Sequence, residues 1–430
     1  MSAFGINVIG SVSSNTGLGV SARNIVRLLL ARGCPLSILD LDPGKSRGGH
    51  DLTLSRYFVE SPENLSYPVN LAVLPMVSVP DFLVNSPLDL ISTAQLNVGC
   101  FWWELGVLPE PWIEGLRLFD VLLAGSRFIE DTLRSHLRSG STVFFRHPLY
   151  LPTEIRSARA RFNLPGDAIV YVTICEPTSD LNRKNPFAAV EAFNRALQHD
   201  PRAHLVVRVN NAGAGNSSAE VEQLRSQCRG NDRVHILEEA LSYEEILSLY
   251  ASADVFVALH RSEGLGLGLM EAMSLGKPVI ATAWSGNMSY MDRTNSCLVR
   301  YSLIDVEPTV RVYRRAIRGK RAVWADPDVE HAAAWMKTLA DEPERRLTIG
   351  RKAAQDMICY QRRAEDECFL DEVRRQAENR ADLVGGNEER RQRLEDFRRA
   401  RTHGSRHIST RERLSRRMGD IFNRHVFGKF

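Results

Sequence analysis

A chain of 430 residues with 43% hydrophobic content is long enough for two domains with full-sized cores. Its formal net charge of +3 hides a segregation: residues 390–430 carry thirteen Lys or Arg against four Asp or Glu, about +9, and the remainder carries 42 against 48, about −6. Seven cysteines, at 34, 100, 175, 228, 297, 359 and 368, stand singly with no CxxC spacing, which excludes a paired zinc site and points to reduced thiols in a cytosolic compartment.

The N-terminus MSAFGINVIG lacks the basic region, apolar core and cleavage site of a signal peptide. No apolar run approaches the roughly 20 residues that a membrane-spanning helix needs, so a soluble or peripheral protein is expected. Ile6 to Gly10 reads as a strand, followed by a loop with Gly17, Leu18 and Gly19 and a helix with Ile25, Leu28, Leu29 and Leu30 at helical spacing. Strand, glycine loop and helix together place backbone N–H groups and the positive end of a helix dipole at the strand's C-terminal edge. A dinucleotide fingerprint would need glycine where Ala22 stands, and its acidic residue would be Asp40 or Asp42. That cofactor reading stays open at this point.

Leu71 to Val77 and Leu96 to Phe101 read as buried strands, and Trp102, Trp103 and Glu104 end the second. Val121 to Phe128 reads as a strand ending at Ser126 and Arg127, with a helix from Ile129 to Leu137. The prolines of Phe144 to Pro152 mark a linker. Its His147 reads as structural or as a ligand-edge contact more than as a base. A second series opens with the strand IVYVTIC, and Arg183 and Lys184 stand at a helix start in the loop behind it. Strands at Leu205 to Val209, Val234 to Ile236 and Val255 to Ala258 alternate with helices near Ser218 to Cys228 and Tyr243 to Ser252, a doubly wound α/β pattern.

Between Asp254 and Asn287 the sequence reads DVFVALHRSEGLGLGLMEAMSLGKPVIATAWSGN. It is strand, glycine turn, helix, strand. Gly264, Gly266 and Gly268 allow close ligand approach and positive φ, and Glu263 and Glu271, eight positions apart, can point into one crevice at the C-terminal end of a parallel sheet. Carboxylates accept strong hydrogen bonds from hydroxyl groups, which suits a sugar and a ribose. Asp326-Pro327-Asp328 and Asp40-Leu41-Asp42 could pass for metal-binding Asp-x-Asp. Turn chemistry fits the first better, with Asp328 capping a helix or standing in its first turn.

The stretch from Glu263 to Thr282 closely resembles the donor-binding segment of retaining glycosyltransferases of family 4, with their Glu-x7-Glu spacing inside E-G-[FL]-G-x-x-x-x-E-A-M. The resemblance implies a GT-B α/β fold, two Rossmann-like doubly wound domains facing across a cleft, with a helical C-terminal extension. The expected domains are 1–152 on the acceptor side, 153–345 on the donor side, a crossover helix region at 346–380 packing back on the first, and a basic amphipathic tail at 381–430.

It further implies that Glu263 contacts donor sugar or phosphate, that the backbone of Gly264, Leu265 and Gly266 holds sugar hydroxyls, and that Glu271 binds ribose. Arg183 and Lys184 would take the diphosphate, Gly17, Leu18 and Gly19 would close over it, and Asn287 would join the donor-binding set. The usual family arginine lies five residues before Lys184, where this chain has Ser179, and Arg183 is its candidate substitute. Many relatives carry a histidine where this chain ends its strand in Trp-Glu, which leaves Glu104 as the acceptor-side candidate with an indole as sugar platform.

The implied activity is transfer of a hexose from a nucleotide-diphosphate sugar, with GDP-mannose favoured and UDP sugars open. The acceptor would be a glycan or lipid-linked saccharide, and no metal and no cofactor would be needed. The alternative is a catalytically silent glycan-binding or scaffold protein of the same fold. In the tail, Leu414, Met418, Ile421, Phe422 and His425 share one helical face flanked by Arg413, Arg416, Arg417 and Arg424. Such a helix can lie on an anionic membrane or pack on the protein. Nucleic acid is disfavoured, since no aromatic stacking platform accompanies the charge.

Overall fold

The structure is a computed structural model that describes residues 4–42, 50–137, 141–210, 218–307, 313, 317, 319–380 and 388–403. Six strands form a first sheet: β1 (Ile6–Gly10), β2 (Leu36–Asp40), β3 (Val69–Pro75), β4 (Leu96–Trp102), β5 (Val121–Ala124) and β6 (Ser141–Phe144), in the order β2-β1-β3-β4-β5-β6. Six more form a second: β7 (Ile169–Cys175), β8 (Ala203–Val209), β9 (Val234–Leu237), β10 (Val255–Ala258), β11 (Val279–Thr282) and β12 (Cys297–Val299), in the order β12-β11-β10-β7-β8-β9. Pairing is parallel throughout both sheets. A two-stranded antiparallel ribbon, β13 (Tyr301–Asp305) with β14 (Val323–Pro327), follows.

The strands are near-continuous apolar runs because helices cover both faces of a parallel sheet; β1 and β4 are buried along their whole length. Register in the first sheet is marked by an asparagine ladder at its lower end. Asn7 aligns with Asn70 and Asn70 with Asn97, and Nδ2 of Asn7 donates to Oδ1 of Asn70, whose own Nδ2 donates to Oδ1 of Asn97. The amide chain satisfies groups that burial would otherwise leave unpaired.

Each sheet reverses its winding once. In the first the chain builds β2 beside β1 and then returns to the other side of β1 with β3; in the second it builds β8 and β9 outward from β7 and returns on the other side with β10. A crevice opens at such a switch point, outside the strands' C-terminal ends.

Several local expectations differ in detail. The strand expected over Val121 to Phe128 stops at Ala124, because Ser126 accepts a hydrogen bond from the N–H of Ile129 and caps the helix Arg127–His136. Arg183 and Lys184 do not start a helix. They end the single turn Leu181–Lys184, and the following helix Pro186–Leu197 begins only after Asn185, with proline in its first turn. Asp328 caps the helix Val329–Asp341, accepting from the N–H of His331 at 2.9 Å.

The helix Pro343–Asp366 carries the chain back to the first sheet, where Gln361 accepts from the N–H of Leu149 at 2.7 Å and Glu367 pairs with Arg146. Phe369 meets Phe145 edge to face at 5.3 Å. The helix Glu388–His403 then packs beneath the first sheet, burying Leu394 and Phe397. Its Arg390 reaches both carboxylate oxygens of Asp120 at 2.9 and 2.8 Å. The apolar face proposed around Leu414 to His425, with Arg413, Arg416, Arg417 and Arg424, lies outside the described residues. No described helix is long and apolar enough to cross a membrane. All seven cysteines are unpaired, and Cys359 alone of them is exposed.

Candidate functional site

The two switch points face one another across a cavity of about 450 Å³, within the size range of small-molecule sites. Loops after β1, β3 and β4 form one wall, and loops after β7, β8 and β10 the other. Of the residues singled out in the sequence, Gly17, Leu18, Glu104, Arg183, Lys184, Glu263, Gly264, Leu265, Gly266 and Glu271 line it. Gly19 and Asn287 stand behind the walls. A side chain at Gly19 would put Cβ 2.0 Å from the carbonyl oxygen of Ser14, so this glycine permits close packing of the loop. The Asn287 amide is fully buried, donating to the carbonyl of Thr282 at 3.0 Å, with Oδ1 3.2 Å from Nε2 of His260.

The wall built from the loops after β7, β8 and β10 is organised by an ion cluster. Nζ of Lys184 lies 2.6 Å from one oxygen of Glu263, and Nη1 of Arg183 lies 3.3 Å from the other. Burial would raise the Glu263 carboxyl, but the charges of Lys184 and Arg183 more than offset it and hold the group down at about 2. Arg183 is 2% exposed and further tied to the carbonyl of Ser262 at 2.8 Å and to the hydroxyl of Ser179 at 2.5 Å. Its guanidinium therefore reaches back to the residue that stands where the family arginine is expected. Lys184, 26% exposed, keeps the freer face toward the cavity.

The backbone that sets this cluster is unusual. Asp180 and Asn185 flank the cationic turn at φ 79° and 52°, and Ser285 beneath Glu263 sits at φ 78°. Non-glycine residues in this region cost energy and concentrate at functional sites. Two of the three have local side-chain compensation: Asp180 accepts from the N–H of Arg183 at 3.0 Å, and the hydroxyl of Ser285 accepts from the N–H of Glu263 at 2.8 Å.

Farther along the same wall, Gly266 adopts φ +86° and opens the helix Leu267–Ser274. The left-handed turn is cheap for glycine only. It aims Glu271, in the helix's second turn and 4% exposed, at the cavity. Burial pushes the Glu271 carboxyl up to about 7, partly countered by the hydroxyl of Tyr243, which donates to it at 2.8 Å. The two glutamates thus sit in opposed environments, one held ionised by cations and one near its titration midpoint at neutral pH. The Tyr290 hydroxyl braces the turn, 2.9 and 2.8 Å from the carbonyls of Leu265 and Gly266.

On the facing wall, Glu104 is 23% exposed, with one oxygen 4.0 Å from Arg183 and the other 3.2 Å from the hydroxyl of Tyr313. Trp103 packs behind it, edge to face with Trp112 at 5.0 Å and its indole N–H donating to the carbonyl of Val107. The two walls touch directly: Ser262 donates to the carbonyl of Glu104 at 2.5 Å, and Ser126 to that of Gly264 at 2.6 Å. His147 is fully buried outside the cavity, 2.8 Å from the hydroxyl of Ser21, and burial lowers its imidazole to about 4. It is a neutral structural residue. Asp40 accepts from the N–H of Ser13 at 3.2 Å and so serves the glycine loop. Among the described residues, no group of three or more His, Cys, Asp or Glu is placed to hold a metal ion.

Sequence reasoning missed Tyr243, Ser126, Ser179's contact with Arg183, Ser262, Ser285, Tyr290 and Tyr313. Tyr243 had a faint signal, since it lies inside the Ser242-x-x-Glu245 capping box that starts its helix. Tyr313 had none.

Residues 174–299 match the family described as Glycosyl transferases group 1. The D-inositol 3-phosphate glycosyltransferase of Kineococcus radiotolerans is 27% identical over 239 residues, covering 54% of this chain and 50% of the relative. The chain spans about half the length of the curated relatives it matches. Sucrose-phosphate synthase from Thermosynechococcus elongatus superposes with TM-score 0.59 at 16% identity, covering 87% of this chain and 99% of that one. Anabaena Alr3699/HepE in complex with UDP and glucose does so with TM-score 0.54 at 14% identity, covering 85% and 99%.

Proposed function

We propose that this chain, whose residues 174–299 match the family described as Glycosyl transferases group 1 and whose two-sheet fold is that of sucrose-phosphate synthase, moves a hexose from a nucleotide-diphosphate sugar to an acceptor, retaining the anomeric configuration and using no metal ion. The observation that carries this reading is the pairing of Glu263 with Lys184 and Arg183 at one end of the cavity and Glu271 at the other. One end suits a diphosphate and its sugar. The other suits a ribose.

In this reading the donor's diphosphate draws Lys184 away from Glu263 and stays under the fixed charge of Arg183, and the freed carboxylate of Glu263 meets the sugar. Electrostatic stabilisation of departing charge in a water-poor site is the largest contribution such a surface can make. The backbone of Gly264, Leu265 and Gly266 would hold sugar hydroxyls, with Gly17 and Leu18 closing the other side and Gly19 and Asn287 supporting them. Glu104 would face the acceptor. GDP-mannose is the favoured donor, with UDP sugars as the alternative, and a glycan or lipid-linked saccharide the proposed acceptor. The domain limits near 152, 345 and 380 remain part of the proposal, as does contact with an anionic membrane surface through residues 390–430, of which 404–430 lie outside the described residues.

The competing reading, a catalytically silent glycan-binding or scaffold protein, draws on the absent histidine and the shifted arginine. The contact of Arg183 with Ser179 answers the second point in favour of an enzyme.

The ribose assignment has a pH signature. Glu271 accepts ribose hydroxyls best when ionised, and a nucleotide-sugar diphosphate has no group of its own titrating near neutrality. Donor KM should therefore fall, by about fivefold to tenfold, as pH rises from about 6 to 8, and Glu271→Gln should flatten the slope while raising KM. A wild-type donor KM independent of pH, measured by steady-state release of nucleotide, would count against this carboxylate as the ribose ligand. The stability effect runs the opposite way: because burial raises the folded-state carboxyl above its unfolded value, the group's contribution is present at low pH and lost as pH rises through about 7.

A further inference from the structure

Two described residues of the connection between β13 and β14, Tyr313 and Lys320, bond to residues that follow β4. Tyr313, on this connection, is 1% exposed, and its hydroxyl lies 3.2 Å from Oε2 of Glu104. Its ring is held edge to face by Trp103 at 5.6 Å and Trp324 at 6.3 Å. Lys320, at the connection's return, donates to the carbonyl of Leu108 at 2.7 Å. These residues lie outside the segment 174–299 that matches the family.

Among the described residues the Glu104 carboxylate has Arg183 as its other charged neighbour, at 4.0 Å, too distant for a directional hydrogen bond. The phenol supplies the direction. A buried tyrosine hydroxyl needs a partner, and a bond to a carboxylate is stronger than one between neutral groups. Burial keeps the phenol protonated well above the ordinary tyrosine range, so it stays a donor at working pH.

We propose that Tyr313 is a positioning residue for sugar transfer, its hydroxyl fixing the Glu104 carboxylate at the reacting end of the cavity. The proposal rests on the nucleotide-sugar reading. Tyr313 itself lines the cavity, and the role assigned to it is exerted through Glu104.

The test is a double-mutant cycle of Tyr313→Phe, Glu104→Gln and the pair in the full chain. Its probes are UDP-glucose and GDP-mannose, with water as acceptor and nucleotide release as readout. Tyr313→Phe keeps the ring packing, so its melting temperature should stay within a few degrees of wild type. Its kcat should fall about tenfold to a hundredfold with donor KM unchanged, and the double variant should be no slower than Glu104→Gln alone. A Tyr313→Phe enzyme within twofold of wild-type kcat, or effects that multiply in the pair, would overturn the proposal while leaving the reading intact. A wild-type chain that binds neither UDP nor GDP and releases neither would overturn the reading, and the proposal with it.

Discussion

Replacing Glu263 by glutamine should destabilise the half built on the second sheet by about 3–5 kcal/mol and slow nucleotide release about a hundredfold to a thousandfold. The stability loss follows from what remains behind. Arg183 is 2% exposed and has Glu263 as its near counter-charge at 3.3 Å, with Glu104 only at 4.0 Å. Removing the carboxylate leaves a buried guanidinium held by neutral acceptors, the costly outcome for a buried ion pair.

The carboxyl's position at about 2 against an ordinary value of 4.5 gives a similar figure, about 3 kcal/mol. Because this carboxyl is depressed in the fold, its stabilisation is present above pH 4.5 and is lost as pH falls through about 2. Urea unfolding of wild type and Glu263→Gln should therefore differ most at neutral pH and converge in acid. Equal midpoints at pH 7 would show that Arg183 does not depend on Glu263.

The second large effect lies at the opposite end of the molecule and should separate stability from activity. Asp120→Ala should cost about 3–5 kcal/mol of stability with kcat at low temperature unchanged. Both carboxylate oxygens of Asp120 accept from Nη2 of Arg390, at 2.9 and 2.8 Å, and Asp120 also pairs with Arg380 and accepts from the N–H of Asn97 at 2.7 Å beside the asparagine ladder. Arg390 is 7% exposed, so the alanine variant strands a buried cation and loosens the helix Glu388–His403 from the first sheet. Thermal unfolding read beside nucleotide release at about 15 °C checks both halves of the expectation. A large loss of kcat in the folded variant would mean that this clamp reaches the cavity.

These two sites also mark what the sequence could and could not say. Parallel strands such as β7 and β10 announce themselves as short β-branched runs, and the Glu263 and Glu271 spacing around Gly266 places both carboxylates on the loop and helix of one strand's C-terminal end. Those are local patterns, written in neighbouring residues. The contact of Arg183 with Ser179 is not local in the same way: it depends on the left-handed turns at Asp180 and Asn185, which curl the guanidinium back. Tyr313 was invisible because its partner, Glu104, is 209 positions away and nothing in the intervening pattern links them.

The basic character of the chain after Arg390 reads as a tail by composition. Yet Arg390 and Arg398 are spent on the first half of the molecule, Arg398 donating to the carbonyl of Leu83 at 2.9 Å. Charge counts cannot tell a solvated arginine from a buried clamp.

The central claim is that the cavity between the two switch points is a nucleotide-sugar site. It is tested most directly by incubating the full chain with UDP-glucose, UDP-N-acetylglucosamine and GDP-mannose and following free nucleotide by mass spectrometry. Release of UDP or GDP from at least one donor, slowed about a hundredfold or more in Glu263→Gln and weakened in donor affinity by Glu271→Gln, is the expected result. No release from any donor, with no binding of UDP or GDP by calorimetry, would contradict the claim.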